Sequence, residues 1–164
     1  MEAIILAAGK GRRLGDLTKL SHKTLTKING ISLIERQIKI LKKNNINKIY
    51  VVTGYNAKIL RDNISQLNVN FLHNSNYLKT DTLDSFWLAM QHMDDELITL
   101  YGDVIFQEEI ITNLLNSNEH DITLVVDKSE WPNNSCTTLR SAPPSSRCEA
   151  KLCLKVCGVI FLFK

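Results

Sequence analysis

Apolar residues follow two rhythms along this chain. Residues 2–8 form a short, continuous apolar run closed by Gly9, the pattern of a strand buried on both faces. From 32 to 45 the period changes: Leu33, Ile34, Ile38 and Leu41 recur at helical spacing, and Asn44-Asn45 ends the run. Ser32 stands where a cap belongs, with Glu35 three positions on, so the start reads as a capping box. A second buried strand, rich in β-branched residues, runs from Ile49 to Val52 and closes on Gly54. Helix 57–67, strand 69–74, helix 81–93, strand 96–103, helix 107–117 and strand 121–128 follow in turn.

Strands that alternate with helices predict βαβ units, hence an α/β fold with a mainly parallel sheet and helices on both faces. Ligands of such sheets sit at the carboxyl ends of the strands. Three polar features fall there: the loop 9–30, Thr53-Gly54-Tyr55 and Gly102-Asp103. They are expected to meet on one rim.

Composition narrows the setting. A chain of 164 residues, 44% hydrophobic and 23% charged, is long enough for one domain with a sizeable core. A net charge of +3 argues for neither nucleic acid nor a membrane surface as partner. No apolar run reaches the ~20 residues that cross a bilayer, and Met1-Glu2 leads straight into a strand rather than a leader, so the expected location is cytoplasmic.

The chemistry concentrates in residues 6–25, LAAGKGRRLGDLTKLSHKTL. Gly9 and Gly11 allow the backbone to approach a ligand closely, and the amides of such a loop form a cradle for anions. Arg12, Arg13 and Lys23 add full charges suited to phosphate oxygens. Two common phosphate loops fail. Counting from Gly9, the last glycine of both the P-loop and the dinucleotide pattern would fall on Leu14. The second strand also ends in Thr53-Gly54 rather than in the acid a nicotinamide site wants.

What remains is Leu6, Ala7, Ala8, Gly9, Gly11, Arg13 and Leu14, then Lys23 nine residues later. This resembles the signature of the sugar-nucleotide pyrophosphorylase-like nucleotidyltransferases, and the resemblance runs over residues 2–128. It implies a Rossmann-like three-layer αβα sandwich of the nucleotide-diphospho-sugar transferase type. It implies transfer of a nucleoside monophosphate from a nucleoside triphosphate to a phosphorylated small molecule, with pyrophosphate released. The nucleotide would lie against Leu6, Ala8, Gly9, Gly11, Thr82 and Ser85; Arg13 would hold the leaving phosphates, Lys23 the α-phosphate or the acceptor phosphate, and Asp103 a Mg²⁺ ion. Tyr77 with Thr82 and Ser85 looks nearest to the small cytidylyltransferases of phosphocholine or phosphonate acceptors. One position departs: the family has proline before the lysine, and here it is His22, which leaves that stretch of loop less rigid.

Plainer roles stand beside these. Arg12 and Lys19 read as solvated charges. Thr82 and Ser85 serve as helix caps or nucleotide contacts with equal weight, Asp103 could be a cap, and Trp87 reads as core with Leu83 and Met90. His73, His92 and His120 lack metal-ligand spacing, and the four cysteines lack paired CxxC spacing, so no zinc site is assigned.

All four cysteines and all three prolines lie beyond residue 130. Residues 1–130 therefore read as the first part of a nucleotidyltransferase domain, and 131–164 as a tail foreign to it, with an apolar run at 156–163 that lacks a partner. The family's domain continues for roughly another hundred residues, still within the size of single domains. Those would carry the acceptor pocket and a second metal aspartate. The expectation is a truncated chain, with nucleotide binding without turnover as the alternative function.

Overall fold

The computed structural model describes residues 1–11, 21–94, 96–117, 121–125 and 160–163. Strand β1 (Glu2–Ala7) is buried at every position. Its alternate residues feed two cores. Ala3, Ile5 and Ala7 pack with Ile34, Ile38 and Leu41 of helix α1 (Leu33–Lys43), with Leu60 and Ile64 of α2 (Ala57–Ile64), and with Ile111 and Leu114 of α4 (Glu108–Leu115). Ile4 and Leu6 pack on the other face against Phe86 and Ala89 of α3 (Thr82–Met90). Each isoleucine, leucine or phenylalanine among them contributes roughly 1.5–3 kcal/mol by leaving water. The result is a three-layer α/β sandwich.

The sheet also contains β4 (Lys48–Thr53), β5 (Asn70–His73), β6 (Leu97–Tyr101), β7 (Ile122–Val125) and β8 (Ile160–Phe163), in the order β5-β4-β1-β6-β8-β7. β5, β4, β1 and β6 are mutually parallel. The chain builds outward from β1 to β4 and β5, then returns through α3 to β6 on the other flank of β1. The direction of winding reverses between β1 and β6, which is where doubly wound sheets place ligands.

Two sequence expectations change here. The long loop after β1 contains a 3-10 turn (Lys23–Leu25) and a small hairpin, β2 (Lys27–Ile28) with β3 (Ile31–Ser32), closed by Asn29 and Gly30 at positive φ. The apolar run at the chain's end does have partners: β8 pairs antiparallel with both β6 and β7. Ile160 and Leu162 join the α1 core, and Phe163 joins the α3 core. The four cysteines lie outside the described residues.

The rim at the strand ends is tightly stitched. Ala7 registers with Thr53 and Leu6 with Tyr101. Beyond them, Tyr55 N–H donates to the Ala8 carbonyl at 3.0 Å and Gly102 N–H to the Leu6 carbonyl at 3.0 Å. Gly54 leaves no room for a side chain: a Cβ there would stand 2.7 Å from both the Ala8 carbonyl oxygen and Tyr77 Cβ. Gly54→Ala is therefore expected to destabilise the protein by about 1–3 kcal/mol, since the backbone of β1 cannot give way. Urea denaturation checks this; a midpoint equal to that of the wild type contradicts the packing.

Candidate functional site

At the winding reversal lies a cleft of ≈ 210 Å³. Its floor is the end of β1, Leu6, Ala8 and Gly9; one wall is the turn before α3 with Thr80, Asp81, Thr82 and Ser85; Tyr77, Tyr101 and Lys23 complete it. Gly11, just beyond the floor, has φ 66°, a conformation that favours glycine. A Cβ at Gly9 would come 3.9 Å from Lys23 Nζ, so this glycine faces the cation across the cleft.

Lys23 Nζ donates to Asp103 Oδ2 at 2.7 Å, joining two residues eighty positions apart. Lys23 is 19% and Asp103 41% exposed at the side chain, so solvent screens the pair and it adds little stability. Its interest lies in place: a cation and a carboxylate meet beside a glycine floor, at the point where β1 and β6 diverge.

Both partners are held from behind. Gln37 lies on the buried face of α1, and its Nε2 donates to the carbonyls of Tyr101 (2.9 Å) and Val104 (2.7 Å). That clamps the turn that presents Asp103. Lys23 opens the 3-10 turn, whose cap is His22. The His22 ring is 1% exposed, and its Nδ1 accepts from the Thr24 hydroxyl at 2.9 Å and the Thr24 N–H at 3.3 Å. Loss of solvent pushes His22 down from 6.5 to about 4; the nearby Ala7 backbone opposes that shift, and Lys23 reinforces it. The ring is thus neutral near pH 7, as an accepting Nδ1 requires. Burial is also the main cause that raises the Tyr101 hydroxyl, with Asp103 and Asp81 adding to it, so the phenol stays protonated in the cleft.

The wall before α3 is organised by Asn74. Its buried Nδ2 donates to Thr80 Oγ1 and Ser85 Oγ, both at 3.0 Å. The helix cap is neither Thr82 nor Ser85. Asp81 takes that role, accepting from the N–H groups of Leu83 (2.8 Å) and Asp84 (3.3 Å), while its own N–H donates to the Asp84 carboxylate. Thr82 and Ser85 are left to line the cleft. Trp87 also departs from expectation: it is 38% exposed, and Phe86 and Ala89 fill the core in its place.

Of the residues singled out in the sequence, Leu6, Ala8, Gly9, Lys23, Thr82 and Ser85 line this one cleft and Asp103 is bonded to Lys23. Arg13 lies outside the described residues. Asn74, Asp81 and Tyr101 were not singled out, and Gln37 gave only the faint signal of a polar residue on an apolar helix face. For a divalent cation, Asp103 offers one hard oxygen of the kind Mg²⁺ takes alongside phosphate and water. Among the described residues, no three His, Cys, Asp or Glu side chains come together. Such a site would lean on a nucleotide's own phosphates, so the donor chemistry fits Mg²⁺ only with a nucleotide present.

Comparison with known proteins decides the family. Residues 3–153 match the profile of the MobA-like NTP transferase domain. The chain belongs to the MobA-like NTP transferases. It is 35% identical to the CTP:phosphoglutamine cytidylyltransferase of Campylobacter jejuni over 79% of its own length and 53% of that protein's. It is 31% identical to the choline-phosphate cytidylyltransferase of Haemophilus influenzae, over 80% of this chain and 56% of that one. Among solved structures, the CTP:phosphocholine cytidylyltransferase of Streptococcus pneumoniae superposes with TM-score 0.57 and 32% identity, covering 66% of this chain and 49% of that chain. A glucose-1-phosphate thymidylyltransferase from Bacillus anthracis superposes with TM-score 0.70 at 20% identity over the whole chain and 71% of its own, a likeness of fold. The chain spans about half the length of the curated relatives it matches. No helix among the described residues is long and apolar enough to cross a membrane.

The buried histidine gives this MobA-like domain a predicted pH response. His22 has a folded value of about 4 against 6.5 in the unfolded chain, so on acidification the unfolded chain takes up the proton first. The stability it supports is complete above about 6.5 and is lost as pH falls from there towards 4, by about 3 kcal/mol in all. Urea denaturation across that window checks it. The wild type is expected to lose more than His22→Asn does; parallel losses contradict the assignment.

Proposed function

We propose that this cleft binds a nucleoside triphosphate, CTP before others, and that the domain transfers its nucleoside monophosphate to a phosphorylated small molecule. The observation that carries the reading is the Lys23–Asp103 pair at the winding reversal beside Gly9. CTP is favoured because the relatives are named for it. The acceptor is a phosphate monoester such as phosphocholine, an amino-acid-derived phosphate or a sugar-1-phosphate.

The chemistry follows from charge. An acceptor phosphate oxygen attacks the α-phosphorus, the bond to the β-phosphate oxygen breaks, and pyrophosphate leaves. The acceptor is already anionic, so the step needs no general base. Leu6, Ala8 and Gly9 give the nucleotide a close-fitting floor, and Thr82 and Ser85 offer hydroxyls along its base and ribose. The floor amides and Lys23, with Arg13 as a further cation, hold negative charge where it builds up, the kind of preorganised stabilisation on which phosphoryl chemistry relies. Lys23 exchanges its carboxylate partner for a phosphate oxygen when the triphosphate arrives, which frees Asp103 for a hard cation. Mg²⁺ bound there would draw charge from the phosphate oxygens. Both events replace one ion pair, so triphosphate and cation are expected to bind together.

A second reading, nucleotide binding without turnover, is favoured by one observation: the chain matches only about half of its relatives' length. Acceptor-dependent pyrophosphate release separates the two. With CTP, Mg²⁺ and a panel of phosphate monoesters, release supports transfer, and CTP affinity without release supports the binding domain. Under either reading, Lys23→Ala is expected to weaken Mg²⁺–CTP binding by about 10- to 100-fold, the worth of one charge-assisted bond. Asp103→Asn is expected to abolish the Mg²⁺ dependence of that affinity. Calorimetry checks both; the absence of any Mg²⁺-dependent affinity for CTP, UTP, GTP or dTTP in the wild type removes the reading.

A further inference from the structure

We propose that the buried His22–Thr24 pair is a pin that holds Lys23 and Asp103 in register, with His22 acting as a positioning residue for the nucleotide cleft. The inference rests on the nucleotide-binding reading above for its purpose, though not for its geometry. Lys23, which faces the cleft, is flanked by two buried polar residues: His22 is 1% exposed and Thr24 is wholly buried. These neighbours bond to each other through His22 Nδ1. The turn closes as Leu25 N–H donates to the His22 carbonyl at 2.8 Å.

Thr24 also reaches the other half of the ion pair. Its Cγ2 lies 2.8 Å from where a Cβ on Gly102 would stand, so the methyl packs onto the bare backbone just before Asp103. One residue thus neighbours Lys23 along the chain and Asp103 across space. His22 fixes that residue by two hydrogen bonds. If Thr24 rotates or slides, the cation and the carboxylate lose their common reference.

Stability alone does not account for the histidine. Its Nε2 is buried and makes no well-formed hydrogen bond among the described residues; the ring's polar neighbour on the backbone is Ala7. A buried polar atom so poorly partnered is a cost that an apolar side chain of similar volume would avoid. What an apolar side chain cannot supply is an acceptor for Thr24. An asparagine can, since its side-chain oxygen is a common acceptor for the amide two positions into a helical turn.

The test compares His22→Leu, His22→Asn and Thr24→Val in the full chain. The first readout is acetylation of Lys23 by acetic anhydride, followed by mass spectrometry and referenced to the exposed Lys58. The second is calorimetric affinity for Mg²⁺–CTP. His22→Leu keeps volume and removes the acceptor: Lys23 labelling is expected to rise, and affinity to fall, by about tenfold, the size of a lost hydrogen bond or two. His22→Asn is expected to stay within about twofold of the wild type in both readouts. Thr24→Val keeps the methyl that packs on Gly102 and replaces the hydroxyl by a second methyl, and is expected to raise Lys23 labelling about threefold; it decides the question if His22→Leu does not fold. The proposal is overturned if Lys23 in the leucine or valine variant labels as in the wild type, or if the asparagine variant labels like the leucine one. Should labelling respond as expected while the wild type binds no nucleotide, the pin stands and the nucleotide reading falls.

Discussion

A strand buried at all six positions has no face on which to do chemistry. β1 is such a strand, with Ala3, Ile5 and Ala7 committed to one core and Ile4 and Leu6 to the other. Even Glu2 at its start is buried, and its carboxylate is neutralised by Lys48 from the neighbouring strand. Polar function can begin only where the strand stops. Everything distinctive about the rim follows from that constraint: Ala8 and Gly9 leave the sheet between β4 and β6, and the loops after those strands must crowd around them. Gly54 is a glycine because the Ala8 carbonyl and the Tyr77 side chain already occupy the space a side chain would need, and Gly102 because the Thr24 methyl does.

The charges at the rim are supported unequally. Lys23 and Asp103 reach the cleft and remain partly exposed, whereas the groups behind them, Gln37, His22 and Thr24, are buried. This division suits a site that must release one ion pair to form others. An exposed pair exchanges partners at small cost because water screens it. A buried hydrogen-bonded support resists displacement because breaking it strands a polar group away from water. Mobility of the charged tips and rigidity of their roots are therefore consistent with one another. Asn74 has the same part on the opposite wall, where one buried amide group fixes both Thr80 and Ser85.

Much of this was legible in the sequence, for a physical reason: periodicity reports burial, and burial decides the sheet. The run at 2–8, the helical spacing of Leu33 to Leu41 and the β-branched stretch at 49–52 each predicted the element that forms. Gly9 and Asp103 could be singled out because they fall at strand ends, where such sheets place ligands, and the roles of Lys23 and Asp103 came from the resemblance to the nucleotidyltransferase signature. Other features were hidden. Thr82 and Ser85 looked as fit to cap α3 as Asp81 does, because hydroxyls and carboxylates compete for the same amides, and only geometry shows which side chain turns back. Trp87 was placed in the core by helical spacing, but α3 is apolar around most of its surface, so the period does not say which apolar residue faces inward. Long-range supports such as Gln37 to Tyr101 leave almost no local trace, since neither end needs the other to make sense.

The final strand extends this logic to the end of the chain. Without a neighbour, β6 would present an open row of backbone groups immediately beside the cleft, the kind of edge that invites pairing with other chains. Ile160–Phe163 lies along it, and β7 lies beyond. The contribution is not only to the edge. Phe163 stacks at 5.5 Å from Phe86, the residue next to Ser85 on α3 and part of the same core as Leu6 on the cleft floor. Phe163, from a stretch whose composition reads as foreign to the domain, thus braces the helix that forms one wall of the cleft. A sheet accepts such a strand on modest terms: alternating inward-facing side chains of adequate volume and free backbone groups. Ile160, Leu162 and Phe163 meet those terms whatever the sequence before them resembles, so the support of the cleft depends on apolar pattern at this position more than on the ancestry of the segment.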